Sequence, residues 1–143
     1  MTIVRAATLD DAHAITDLWR ACGLTRPWND PAADVALAIH GPSSVILVVE
    51  RDGVVIGSVM AGFDGHRGWV YYVAVDASAR RGGIGRRLMA AAGDWLRARG
   101  APKLQLMVRD GNAEAVAFYT ALGFTVQPVT TLGRFLEPEG PSS

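Results

Sequence analysis

The sequence predicts an α+β fold: a central mixed, mostly antiparallel sheet with helices on both faces, three layers in all. Three observations lead there. An apolar, β-branched run at 44–51 meets a second at 54–63 across Asp52-Gly53, a strong hairpin signal. The turn Asp64-Gly65-His66-Arg67-Gly68 then leads into a third strand, 69–75, so three antiparallel strands follow one another. Beyond them, Ile84, Leu88, Ala91, Ala92, Trp95 and Leu96 recur at spacings of three and four, one apolar helix stripe. A strand at 104–108, after that helix, is expected to run parallel to the third strand.

The other elements follow in order. Residues 3–7 read as a first strand. Thr8 is expected to cap a helix carrying Asp10 and Asp11 in its first turn, with Ala12, Ile15, Leu18 and Trp19 on its apolar face. Cys22-Gly23 ends it. After a turn-rich loop, 24–30, Asp30 caps a second helix whose first residue is Pro31, and Gly41-Pro42 stop it. Asn112 caps a last helix that Gly123 ends, and 124–129 with 132–136 suggest a final hairpin.

At 143 residues the chain suits one domain with a real core, assigned to 1–137, with 138–143 as a disordered tail. Half the residues are hydrophobic and 20% charged, which excludes an intrinsically disordered chain. A formal net charge of zero argues against a general nucleic-acid binder. Cys22 is the single cysteine, so no intrachain disulfide forms and a reducing cytoplasm is the expected home. No signal-like run opens the chain, no stretch is apolar enough to span a bilayer, and no metal-ligand spacing stands out.

Function points to the segment after the third strand. Gly82, Gly83 and Gly85 let a ligand approach the backbone, and the following helix starts with unpartnered N–H groups at its positive end. Arg80, Arg81, Arg86 and Arg87 surround it. The combination reads as a cradle for phosphate or pyrophosphate; the plainer alternative is a tight strand-to-helix turn with solvated arginines. A P-loop is excluded, since no Lys followed by Ser or Thr is present. The dinucleotide fingerprint is half present: Gly83 and Gly85 fit, but Leu88 stands at the third glycine.

Arg80-x-x-Gly83-x-Gly85 does match [RQ]-x-x-G-x-[GA] in full, and Asn112-x-x-Ala115-x-x-Phe118-Tyr119-x-x-Leu122-Gly123-Phe124 follows downstream. With these two motifs in this order, nearly the whole chain resembles the GNAT superfamily of N-acetyltransferases. The stretches 26–31 and 62–68 further resemble a small bacterial subgroup named after YpeA. The resemblance implies acetyl-CoA as cosubstrate and a primary amine as acceptor, a small molecule or a protein amine. It implies direct transfer in a ternary complex, no metal, no nucleic acid or membrane partner, and a possible homodimer. The pyrophosphate then lies on the backbone of Arg81, Gly82, Gly83, Ile84, Gly85 and Arg86 beside Arg80. The pantetheine arm runs along Val73, Ala74 and Val75, with Asn112, Phe118 and Tyr119 as further coenzyme residues. An amide at Val73 or Ala74 is the implied oxyanion donor, and Tyr119 the implied general acid.

Acetyl transfer also needs a neutral amine, yet most amines are protonated near pH 7. Many members of the resembled family carry a Glu on the strand before the pyrophosphate loop, and here 69–75 holds no acid. His66 and Asp64, in the turn before that strand, are the candidates for a base or water relay; each is equally readable as a plain turn residue. Trp28, Asn29 and Asp30 are acceptor-site candidates, although Trp28 also suits loop packing and Asp30 helix capping. Tyr71 and Tyr72 are expected to alternate faces, and Tyr71 is the acceptor-side candidate. Rival readings are a catalytically weak acyl-CoA-binding regulatory module and, disfavoured by its missing residues, a nucleotide-binding regulatory domain.

Overall fold

The computed structural model describes residues 1–137, so the tail assigned to 138–143 lies outside the described residues. The described chain forms two compact units that divide between Leu106 and Met107.

The first unit is built on one five-stranded sheet in the order β1-β2-β3-β4-β5. Its strands are β1 (Thr2–Ala6), β2 (Ser44–Arg51), β3 (Val54–Phe63), β4 (Gly68–Val75) and β5 (Leu104–Gln105). Pairing is antiparallel from β1 to β4 and parallel between β4 and β5. The β2–β3 turn is made by Asp52 and Gly53 with φ of +51° and +80°, as a two-residue hairpin of matching twist requires. The helices are α1 (Ala12–Ala21), α2 (Pro31–His40) and α3 (Ile84–Ala98). Leu9–Asp11 form a separate 3-10 turn before α1. The Asp11 carboxylate accepts from the Thr8 N–H at 2.8 Å and from the Arg5 guanidinium through two 2.8 Å bonds.

Side-chain alternation explains the layers. A Cβ at Gly57 would come within 2.9 Å of Ile84 and 3.1 Å of Leu88 on α3. Its neighbour Ser58 faces the other way, where its hydroxyl accepts from the Trp19 indole of α1 at 3.0 Å. So α3 covers one face, while α1 and α2 cover the other. The core on the α1/α2 face joins Ile15, Leu18 and Trp19 to Val35, Ile46 and Val48, all buried. Fully burying side chains of this size contributes about 2–3 kcal/mol each. On the opposite face α3 buries Ile84, Leu88, Met89, Ala92 and Leu96; Met89 lies outside the stripe read from the sequence.

The second unit contains α4 (Ala113–Ala121). Asn112 caps it by accepting from the Ala115 N–H at 3.1 Å, and Gly123 takes φ +98° just beyond its end. The expected hairpin of 124–129 and 132–136 is a correction: no strand forms there among the described residues. Pro128 removes a ladder donor and Gly133 interrupts the second stretch. Val126, Val129, Leu132 and Leu136 are exposed, so neither stretch gains a buried face. The strand expected at 104–108 is also shorter, pairing with β4 only at Leu104 and Gln105.

Candidate active site

The end of β4 and the start of α3 are one continuous segment, and both halves depart from regular structure. In the β3–β4 ladder Ser58 faces Ala74 and Met60 faces Tyr71, so Val59 alone stands against Tyr72 and Val73. This is a β-bulge, which leaves the strand with one more residue than its partner can pair. Tyr72 carries φ +53° there, in the left-handed region. On the other side of β4, pairing with β5 ends at Trp69, so β5 does not take up the edge from Val70 to Val75.

The bulge corrects one expectation. Tyr71 and Tyr72 do not alternate faces, because the extra residue breaks the two-residue period. Tyr71 pairs with Met60, whose side chain packs against the α1/α2 core, and Tyr72 packs against the same core. The Tyr72 ring stacks on Trp19 at 3.7 Å between centroids and 4° between planes. Its hydroxyl donates to Asp34 Oδ2 of α2 at 2.7 Å. Burial, then the bond to Asp34, raises the Tyr72 pKa well above that of a free tyrosine. Asp34, Trp19 and Ser58 were missed as site residues because Asp34 is 38 positions from Tyr72, and only the folded sheet brings them together.

After β4, Arg81 and Gly83 take φ of +69° and +79° on either side of Gly82. Successive N–H groups in such a turn form an anion-binding concavity. Gly83 is the N-cap of α3 and offers no side-chain cap, so the first-turn N–H groups remain for a ligand. Among the described residues, no heavy atom beyond its own chain neighbours lies within 4 Å of where a Gly83 Cβ would stand, so the turn is open there. Arg80 is tied back, its Nε donating to the Val75 carbonyl at 3.2 Å. Arg87 donates to the Thr2 hydroxyl. Arg81 and Arg86 are exposed. Cys22 is half-buried, with Sγ 3.4 Å from the Val75 carbonyl and 3.8 Å from Arg80 Nη2, a packed thiol at the base of the loop.

A groove of about 320 Å³ lies in the first unit, lined by Ser43, Ser44, Gly62, Phe63, Asp64, Trp69 and Tyr71. Gly62 pairs with Ser44 on one side and Trp69 on the other, so the missing side chain leaves room between them. Asp64 Oδ1 accepts from the N–H groups of Arg67 at 2.7 Å and His66 at 2.8 Å. The Arg67 bond first, then the His66 bond, hold its pKa below the usual carboxylate range. Burial, then the Asp64 charge, raise the Tyr71 pKa, so its hydroxyl stays protonated at neutral pH. His66 is exposed. Trp28 and Asn29 are half-buried in the α1–α2 loop, and Asp30 caps α2 through the Ala33 N–H at 3.2 Å. In the second unit Tyr119 sits edge-on to Phe118 at 5.0 Å and to Phe124 at 5.8 Å, and burial raises its pKa. Among the described residues no group of three His, Cys, Asp or Glu is placed to hold a metal, and no helix is long and apolar enough to cross a membrane.

A five-stranded mixed sheet with a bulged fourth strand running into an uncapped, arginine-rich helix start has clear counterparts. Residues 12–124 match the acetyltransferase (GNAT) family, and the chain belongs to that family. An acetyltransferase of Pectobacterium atrosepticum is 40% identical over 133 residues, spanning 93% of this chain and 94% of that protein. The aminoglycoside N-acetyltransferase AAC(6')-Iy, solved with CoA, superposes with a TM-score of 0.82 at 19% identity and 95% coverage of both chains. A ribosomal-protein-alanine N-acetyltransferase of Brucella melitensis superposes with a TM-score of 0.76 at 20% identity, covering 94% of this chain and all of that one. The fold is thus shared by proteins named for a small-molecule amine and for a protein amine.

Proposed function

We propose that this protein is an acetyl-CoA-dependent N-acetyltransferase that passes the acetyl group directly to a primary amine within a ternary complex. The observation that carries this is the pairing, on one segment, of the interrupted β4 edge at Tyr72–Val73 with the uncapped start of α3. The pyrophosphate binds the backbone of 81–86, with Arg81 and Arg86 as cationic donors. The pantetheine arm adds alongside Val73–Val75, the edge that β5 leaves open. The Val73 amide, in the bulge, donates to the thioester oxygen as it gains charge. The Tyr119 hydroxyl, kept protonated by burial, hydrogen-bonds the departing thiolate. Both units act as one acetyltransferase domain, which the family match across 12–124 supports.

The acceptor enters through the groove beside Tyr71. Asp64, held ionised, is a weaker base than an ordinary carboxylate and a better attractor of a cationic amine. The proton leaves the amine through water near Asp64 and His66. The α1–α2 loop with Trp28, Asn29 and Asp30 closes the acceptor side. Initial velocities at varied acetyl-CoA and amine test the direct route. Lines that intersect, with activity retained in Cys22→Ser, are expected; parallel lines, or an inactive but folded Cys22→Ser, would instead point to an acetylated enzyme.

A further inference from the structure

Tyr72 holds a conformation that its side chain does not favour. At φ +53° it lies in the left-handed region, where Cβ crowds the backbone and bulky residues are rare. Its surroundings hold it at three points. Trp19 stacks on the ring, and the indole N–H is itself fixed by Ser58 at 3.0 Å. The Ser58 hydroxyl reaches the Tyr72 carbonyl at 3.5 Å. Asp34 accepts the phenol at 2.7 Å. A stack resists tilting but lets a ring slide in its own plane; the bond at the tip removes that freedom. A charged acceptor makes such a bond about twice as strong as a neutral one. The backbone angles of Tyr72 set the plane of the next peptide, and that peptide carries the Val73 N–H.

Resting on the acetyl-transfer reading above, we propose that Asp34 is a positioning residue for the reaction. Through the Tyr72 hydroxyl it keeps Tyr72 in its left-handed conformation, and so keeps the Val73 amide directed at the thioester carbonyl. Asp34 touches no reacting atom in this role. It links the first turn of α2 to the site of charge development through one side chain.

The test combines turnover, coenzyme affinity and the backbone itself. Asp34→Ala and Tyr72→Phe should each lower kcat about tenfold or more while acetyl-CoA affinity stays within about twofold. Asp34→Asn, which keeps an acceptor oxygen, should retain most of kcat. The double variant Asp34→Ala/Tyr72→Phe should fall no further than either single one. Unchanged kcat in Asp34→Ala, losses that multiply in the double variant, or Asp34→Asn as impaired as Asp34→Ala would each overturn the inference. Thermal melts check that the variants fold. Nuclear magnetic resonance of the free protein gives a readout apart from catalysis: the Val73 amide shift and the coupling that reports Tyr72 φ should change in Asp34→Ala. Identical spectra around Val73 would overturn the positioning role. A wild type that acetylates no amine would overturn the reaction instead, with the spectral comparison still deciding the role of Asp34.

Discussion

Hydrogen bonds outweigh burial in setting the charge of Asp11 and Asp64, and the consequences differ between the two. Arg5 holds the Asp11 carboxyl down at about 2, chiefly through their paired bonds, with the Thr8 N–H adding to it. A lowered folded-state value stabilises the fold above the unfolded value near 3.9 and loses that contribution as pH falls from about 4 towards 2. Part of the pair is open to solvent, so its contribution is about 1–2 kcal/mol. Arg5→Ala should therefore lower stability at pH 7 by that amount and flatten the acid limb between pH 4 and 2, as read by urea unfolding at several pH values. Asp64 has the same sign of shift but lies fully exposed, and the role proposed for it is in binding. Asp64→Asn should raise the KM for a cationic amine several-fold and leave acetyl-CoA affinity unchanged; unaltered KM for every amine would remove Asp64 from the acceptor site. None of the Tyr72 surroundings was legible from sequence. A bulge leaves no mark on the apolar pattern of 69–75, and without it strict alternation sends Tyr71 and Tyr72 to opposite faces.

At the scale of elements, α3 buries one face in the core, and its uncapped start is the proposed ligand platform. Its stripe was readable because Ile84, Leu88, Ala92 and Leu96 keep a helical period and are all buried. The helix is seated on glycines that carry no such signal. A Cβ at Gly68 would meet Leu96 Cδ1 at 2.7 Å, and one at Gly57 would meet Ile84 at 2.9 Å. Gly57→Ala should thus push the start of α3 off the sheet, costing about 1–3 kcal/mol and weakening acetyl-CoA binding together with stability. Gly83→Val is expected to separate the two. There the space is open but the backbone is left-handed, so the valine strains the cap and fills the cradle. Calorimetry should show acetyl-CoA affinity falling tenfold or more with a modest loss of melting temperature. Equal affinity in Gly83→Val would defeat the pyrophosphate assignment. The hairpin read at 124–136 failed for an element-scale reason: β-branched residues favour strands, but a strand needs a partner and a buried face, and Pro128 and Gly133 oppose both.

For the molecule as a whole, the α+β class and the strand directions followed from local signals, since Asp52-Gly53 and the Asp64–Gly68 turn force consecutive strands to reverse. The turn between β4 and α3, proposed above to bind the coenzyme, was singled out because its glycines and arginines are contiguous. The groove beside Tyr71 was not legible, because Ser44, Gly62 and Trp69 meet only through sheet register. The fold is shared by acetyltransferases named for unlike acceptors, so the proposed function leaves the choice of amine to that groove and the α1–α2 loop. This scaffold is proposed to transfer acetyl to an amine with Tyr119 assisting the leaving thiolate. Its most direct test is CoA thiol release from acetyl-CoA across polyamines, amino acids, aminoglycosides and peptides, with acetylated product confirmed by mass spectrometry, in wild type and Tyr119→Phe. Amine-dependent release matched by product is expected, with kcat about 100-fold lower in Tyr119→Phe at nearly equal coenzyme affinity. Tight acetyl-CoA binding without product from any amine would contradict it and mark the protein as a coenzyme-binding module.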